Sequence, residues 1–340
     1  MKRPSIADLA QAAGVSVATV DRVLNRRLPV RESTALRVVE AAEEIGYHAT
    51  GLLKQRLRDV PRRTFGFLLQ RRSNPFYLEL ATGLVEATRV ATFIQGRAIV
   101  EHIDEILPST IAARLREMAP RVDAIAVVAV DHPTVNEAIA EVTASGKPVV
   151  ALLSDVTAPS RAGCLMVDRH KSGRTAAWAI SRLAPKPGKV GILIGSHRYL
   201  SQEISEISFR SYMREHAPQF SLLEPMVNLD DQQVSHEAVI ELVTSNPDLV
   251  GIYDCGGGEH GLVQALREEG IGRRIVTVCN ELTPVTREAL IDGVIDLVLG
   301  TPVATLARRT VEVLAQAVAE PERGMTQVLL PADLHISENI

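Results

Sequence analysis

Two groups of side chains in this sequence have types and spacing suited to chemistry. The first begins with Asn74-Pro75-Phe76-Tyr77. Aromatic residues make up only 4% of the chain, so two adjacent ones at a strand end stand out. Their flat apolar faces suit the C–H faces of a ring ligand, with Asn74 as a polar anchor. Later strand ends offer Asp131 and His132, Ser154 and Asp155, and Asp168 and Arg169. Beyond these lie Ser196, His197 and Arg198, then Asp254 and Cys255, then Asn280 and Glu281. Carboxylates, amides and guanidinium groups make paired hydrogen bonds with hydroxyls. Each of these residues can equally cap a helix or close a turn. Asp254-Cys255-Gly256-Gly257-Gly258-Glu259 follows a strand and opens a helix, as a phosphate cradle does. It lacks the lysine and spacing of a P-loop, so the glycines read as a tight strand-to-helix turn.

Catalytic patterns are missing. The nine histidines form no HExxH spacing, no serine sits in a GxSxG elbow, and no carboxylate pair is distinguished. No catalytic residue, metal or cofactor is therefore expected. Cys164, Cys255 and Cys279 have no CxxC spacing, fit a reducing compartment, and read as core packing.

The second group is at the N-terminus. Ile6, Leu9, Ala10 and Ala13 fall at helical spacing and predict one apolar face. Gly14 tolerates the positive φ of a sharp turn, Val15 plugs the corner, and Ser16 is placed to cap a second helix. Val20, Val23 and Leu24 predict its inward face, which leaves Val17, Ala18, Thr19, Asp21 and Arg22 outward. Small residues at the exposed start of a short helix suit a DNA major groove. A third amphipathic helix over 31–45 has Leu36, Val39, Ala42 and Ile45 as its apolar stripe and Gly46 as its C-cap. Residues 1–63 hold twelve cationic and seven acidic side chains, a net of +5. The whole chain is −4, so the remainder carries −9. A basic headpiece on an acidic body fits phosphate contact by one part only.

The elements that must position these groups follow from periodicity. Apolar strand runs are predicted at 64–69, 92–100, 124–129, 148–153, 164–167, 190–194, 249–253, 275–278, 295–299 and 326–330. Helical patterns fall between them, at 77–89, 109–118, 134–145, 170–183, 201–216, 233–244, 259–269, 284–292 and 303–319. Near-continuous apolar strands interleaved with helices mean parallel sheets covered on both faces. The predicted fold is a small all-α helix-turn-helix unit followed by an α/β body of two lobes with two parallel sheets. A ligand then binds between the lobes, at the carboxyl ends of the strands. Predicted bounds are 1–48 for the headpiece, 49–63 for a hinge and 64–340 for the body. No apolar run approaches the ~20 residues of a membrane span. Met1-Lys2-Arg3-Pro4 leads straight into an amphipathic helix without a secretion leader, so a cytoplasmic protein is expected.

Ala10-x-x-Ala13-Gly14-Val15-Ser16-x-x-Thr19-Val20-x-Arg22-Val23-Leu24-Asn25 resembles the headpiece of the LacI-type bacterial regulators. So does Val30-x-x-x-Thr34-x-x-Arg37-Val38-x-x-Ala41-x-x-x-x-Gly46-Tyr47. Asn74-Pro75-Phe76-Tyr77 and Gly146-Lys147-Pro148-Val149-Val150 resemble the effector domain of that family, of the type I periplasmic-binding-protein fold and nearer its ribose-binding type. The resemblance implies a dimeric transcription regulator, most simply a repressor, on a pseudo-palindromic double-stranded operator, with a sugar-like effector in the cleft. Val17, Ala18 and Arg22 would read bases, and Ser5, Ser16, Thr19 and Asn25 would hold phosphates or register. Asp21 stands where the family has serine, and repels phosphates unless it accepts from a cytosine amine or pairs with Arg22. The family's hinge wedges a leucine into the minor groove. Here Arg56 stands at the wedge position, leaving Leu57 or Leu53 as substitutes, or a plain basic tether. The second lobe also departs: Ser205 replaces an arginine, Gly300 a glutamine, Cys255 an asparagine, and Asn280 an aspartate or histidine. An unmodified pentose is then disfavoured, leaving a larger, less polar or differently charged effector, or a weakened site. The rival reading is a solute-binding or carbohydrate-modifying protein without DNA binding.

Overall fold

The structure, a computed structural model, describes residues 4–25, 30–48, 50–51, 60–272 and 275–340. Leu53 and Leu57, the proposed wedge, lie outside the described residues.

Three helices open the chain: α1 (Ile6–Ala12), α2 (Val17–Asn25) and α3 (Glu32–Glu44). Ser5 starts α1 with a capping box, donating from its backbone N–H to Asp8 Oδ2 (2.7 Å) and accepting from the Asp8 N–H (3.3 Å). Gly14, at φ +62°, makes the corner. Ser16 accepts from the Thr19 N–H at 3.1 Å. Leu9, Ala10, Ala13 and Val20 pack against Val38, Val39 and Ala42 in a core drawn from residues 9–47. Two predicted core positions differ. Ile6, on the first turn of α1, is 37% exposed. Leu36 is 46% exposed, because the buried stripe of α3 is turned by one residue onto Ala35, Val38, Val39 and Ala42. Small side chains there let the three short helices pack closely. Gly46, at φ +66°, ends α3. It donates to Glu43 O (3.1 Å) while Tyr47 N donates to Ala42 O (2.8 Å), the paired bonds of a Schellman motif. The Thr50 hydroxyl donates back to Ala42 O and Tyr47 O.

The body holds two sheets. The first combines β1 (Arg62–Gln70), β2 (Gln95–Ile103), β3 (Ala124–Val127), β4 (Val149–Leu152), β5 (Gly163–Val167) and β12 (Thr326–Leu330). Its order is β12-β5-β4-β3-β1-β2, all parallel. Helices α4 (Pro75–Val90), α5 (Pro108–Met118), α6 (Pro133–Ala144) and α12 (Val303–Ala319) cover it. The second sheet runs β13-β11-β10-β9-β6-β7, with β8 also on β6. Its strands are β6 (Lys189–Ile194), β7 (Ser221–Leu222), β8 (Met226–Val227), β9 (Leu249–Asp254), β10 (Val276–Asn280), β11 (Leu297–Gly300) and β13 (Asp333–His335). All pair in parallel except β13, which is antiparallel to β11. Its helices are α7 (Arg169–Leu183), α8 (Leu200–His216), α9 (Gln232–Ser245), α10 (Glu259–Glu268) and α11 (Pro284–Ile291). Each sheet carries a hydrophobic cluster on either face.

The strand predicted at 92–100 begins three residues later. Thr92, Phe93 and Ile94 form a turn in which only Ile94 is buried. Glu101 and His102 continue the strand, because β2 is a sheet edge that tolerates polar side chains. The short strands β7, β8 and β13 carry no apolar run that a sequence would disclose. The chain crosses between lobes after β5, after β11 and after β12, so the two strand-end rims face one another.

Candidate functional site

The carboxyl ends of β1, β4, β9 and β10 line a cavity of about 80 Å³ between the lobes. Eight of the predicted strand-end residues line it: Asn74, Phe76, Tyr77, Ser154, Arg169, Cys255, Asn280 and Glu281. Asn74 caps α4 by accepting from the Phe76 N–H at 2.9 Å, which fixes the two rings edge to face at 5.3 Å. Phe76 belongs mainly to the first-lobe core. Tyr77 is half-buried, and burial together with the carboxylates of Asp230, Glu281 and Glu259 pushes its phenol upward. Asn280 donates its amide to Cys255 O at 2.8 Å, so the atom left without a partner in the cavity is its oxygen.

Other predicted residues are placed elsewhere by local bonding. Asp131 accepts from the Thr157 N–H and hydroxyl and from Asn136. His132 accepts from the Thr134 N–H as the cap of α6. Asp155 is held by Arg161 in a two-pronged ion pair at 2.7 and 3.0 Å. Asp168 caps α7 through the Lys171 N–H. Arg198 is exposed and contributes its carbonyl to the Asp131 N–H. Ser205 donates to Ser201 O inside the α7–α8 contact, where its short side chain ends before the cavity. Asp254 is buried behind the wall and accepts from the Gly256 N–H. Gly300 borders a separate cavity with Glu79, Arg287, Asp333 and His335.

The structure adds residues that the sequence did not single out. Gln70, the last residue of β1, donates to the Tyr199 hydroxyl across the cleft. Arg71 donates to Asp230 O at 3.1 Å and pairs with Asp231 at 3.4 Å, also across the cleft. Asp230 has a positive φ (+49°) that turns its carboxylate inward. There it accepts from the Gly257 N–H (2.6 Å) and from Gln202 Nε2 (3.3 Å). Gln202 Oε1 in turn takes the Gly195 and Ser196 N–H groups. Glu281, already named from its strand end, accepts twice from Thr301 and faces Arg169 at 3.4 Å. Position at a strand end was the available signal for Gln70, and the tripled glycine was the signal for Glu259. Nothing in the sequence marked Asp230, whose role depends on a left-handed turn.

Glu259 opens α10, is 7% exposed, and accepts from the backbone N–H groups of Gly258 and of its own residue. Desolvation outweighs those bonds and raises its pKa to about 7, with Glu281 and Asp230 adding to the rise. Asp230 and Asp254 are also raised by burial. Between the unfolded value near 4.5 and about 7 the native state holds a proton that the unfolded state has lost. Stability therefore falls as pH rises through that window, by about 3 kcal/mol for this residue. The Glu259→Gln protein lacks this titration. Differential scanning calorimetry is expected to show wild type losing several degrees of Tm against Glu259→Gln between pH 5 and 8. Parallel curves would show that Glu259 does not titrate there.

On the headpiece, Val17 (52% exposed), Ala18 and Arg22 stand free of the core on α2. Asp21 accepts from Asn25 Nδ2 at 2.6 Å, so Asn25 and not Arg22 is its recorded partner. Ser5 and Ser16 are both engaged as caps.

Residues 65–322 match the family model of the periplasmic binding protein domain, and residues 5–50 match that of bacterial regulatory proteins of the lacI family. The HTH-type transcriptional regulator RegA of Clostridium saccharobutylicum is 40% identical over 86 residues, 25% of this chain and 26% of RegA. Catabolite control protein A of Priestia megaterium is 30% identical over 150 residues, 44% of this chain and 43% of that protein. The matches thus span from about a quarter to under half the length of these relatives. A solute binding protein from Agrobacterium vitis, solved with alpha-D-tagatopyranose, superposes with a TM-score of 0.74 at 17% identity, covering 82% of this chain and 96% of that one. One from Burkholderia graminis, in complex with D-arabinose, gives 0.73 at 18%, covering 83% and 97%. The body therefore has the type I periplasmic-binding-protein fold. Among the described residues no helix is long and apolar enough to cross a membrane.

Proposed function

The chain belongs to the periplasmic binding protein domain family, with a lacI-type regulatory segment at its N-terminus, and from that premise we propose that it is a transcription regulator. It acts as a repressor whose grip on DNA is set by a small molecule bound between the lobes. Residues 1–48 form the DNA-binding headpiece, 49–63 the hinge and 64–340 the effector-binding and dimerisation part. The carrying observation is an exposed face of α2, with Val17 and Ala18 at its start and Arg22 in its last turn, on the same chain as a cleft with unsatisfied polar groups. A relative named as an HTH-type transcriptional regulator supports DNA control over catalysis, and a cytoplasmic location follows from that role.

Control works by population shift. Contacts from Gln70 and Arg71 to the second lobe hold the cleft closed. A ligand bridging Tyr77 and Asn74 on one side and Asp230, Glu259 and Asn280 on the other favours one lobe arrangement, which the hinge passes to the headpiece. Two headpieces related by a two-fold axis require inverted half-sites. Nuclease protection on DNA upstream of the chain's own gene is expected to give one protected stretch with dyad symmetry. Protection of a single asymmetric half-site would contradict the dimer, and uniform cleavage would contradict DNA recognition at that site.

A further inference from the structure

The charge on the cavity wall narrows the class of effector. Both arginines that line the cleft are partly engaged, Arg71 keeping Nε without a partner. Arg71 is spent on the second-lobe carbonyls and on Asp231, and Arg169 faces Glu281. Asp230 and Glu259 also line the cavity, Asp230 held by the Gly257 N–H and Gln202 with the Arg71 charge nearby, and Glu259 by backbone N–H groups. Adjacent backbone amides hold them, Gly257 for Asp230 and Gly258 for Glu259, so the two carboxylates are neighbours on one wall. Asn280, 3% exposed, adds an unpartnered acceptor oxygen to the same cavity. The wall is thus rich in acceptors: the carboxyl groups of Asp230, Glu259 and Glu281 face the guanidinium groups of Arg71 and Arg169, an excess of one acid that a proton on Glu259 offsets near neutral pH. Phe76, Tyr77 and Tyr199 supply aromatic surface beside it, which also favours a cation. Among the described residues no three His, Cys, Asp or Glu side chains are grouped to hold a metal ion. Arg169 keeps Nε and Nη1 without partners, and these suit a hydroxyl or ring oxygen at the other end of the ligand.

We propose that the effector is a small hydroxylated amine, such as an amino sugar, whose ammonium group sits between Asp230 and Glu259 while its hydroxyls meet Arg169 and Asn280. This rests on the reading of the cleft as the effector site. The wall distinguishes an amine from the matching alcohol because only the amine neutralises the carboxylates and donates to both. An ammonium group also displaces the proton that a buried Glu259 holds near neutral pH, so binding releases protons.

The test is calorimetric titration of the full chain at pH 7 with matched pairs: D-glucosamine and D-glucose, D-galactosamine and D-galactose, and 1-amino-1-deoxy-D-sorbitol and sorbitol. At least one amine is expected to bind tenfold or more tightly than its neutral partner. Its heat should change with the ionisation enthalpy of the buffer, and Glu259→Gln should bring the pair within threefold. Circular dichroism checks that the variant is folded, and Asp230→Asn gives a second reading of the same wall. If a neutral sugar binds as tightly as its amine, or if the preference survives both substitutions, the amine assignment is wrong while the effector cleft stands. If no member of any pair binds, the amine assignment fails, and a wider metabolite screen that also finds no ligand removes the effector reading.

Discussion

Replacing Arg22 with alanine is expected to abolish specific DNA binding by the full chain while its melting temperature stays within about a degree. Arg22 is exposed on α2, so its removal opens no cavity; substitutions at such sites usually stay within about 0.5 kcal/mol. The loss at the DNA is much larger. A guanidinium that grips guanine with two hydrogen bonds contributes about 1–3 kcal/mol of discrimination. In a dimer that figure doubles, which spans roughly thirtyfold to more than a thousandfold in affinity. The neighbouring carboxylate does not compromise this side chain, because Asp21 accepts from Asn25. A gel-shift titration on upstream DNA reads the effect. Equal binding by wild type and Arg22→Ala would show that α2 does not read the groove.

The second large effect is on stability. An ideal Cβ at Gly261 would lie 1.9 Å from Gln232 O and 2.8 Å from His236 N, both backbone atoms of α9. Helices α9 and α10 approach closely only because this position has no side chain. Gly261→Ala must push the helices apart or bend one of them, at a cost of about 3 kcal/mol. For a lobe of this size that lowers Tm by roughly 6–12 °C. The same displacement moves the start of α10 and with it Glu259, so effector binding is expected to weaken as well. Gly270→Ala makes the control, since nothing lies within 4 Å of its Cβ site, although φ +63° carries a small penalty of its own. Comparable melting of the two variants would mean that the α9–α10 contact is not tight.

What the sequence disclosed and what it hid divide along a physical line. Periodicity reports how a segment meets its own sheet, and so β3, α7 and α12 were legible to within a residue or two. It reports less well how two small helices meet each other. Leu36, the largest apolar residue of its stripe, therefore looked like core, although α3 buries Ala35 and Val38 instead. In the cleft, Asn74, Phe76 and Tyr77 were legible because a strand end, a cap and two rings coincide in four residues. Asp131, Asp155 and Asp168 share the same composition but spend their oxygens on local N–H groups and Arg161. Whether an aspartate at a strand end faces a ligand or its own loop depends on the tracing of that loop. Asp230 is the converse: an unremarkable residue in sequence, carried into the site by a left-handed backbone. Arg71 and Tyr199 become functional only through contacts across the lobes, which no local pattern encodes.

The central claim is that a molecule in the cleft sets the grip of α2 on DNA. Fluorescence anisotropy of the full chain on its protected operator fragment, with and without a saturating cleft ligand identified by calorimetry, measures that coupling directly. The account requires the operator Kd to change at least tenfold on ligand addition, and the ligand's own Kd to change by the same factor on operator addition. An operator Kd that stays constant while the ligand demonstrably occupies the cleft would contradict it.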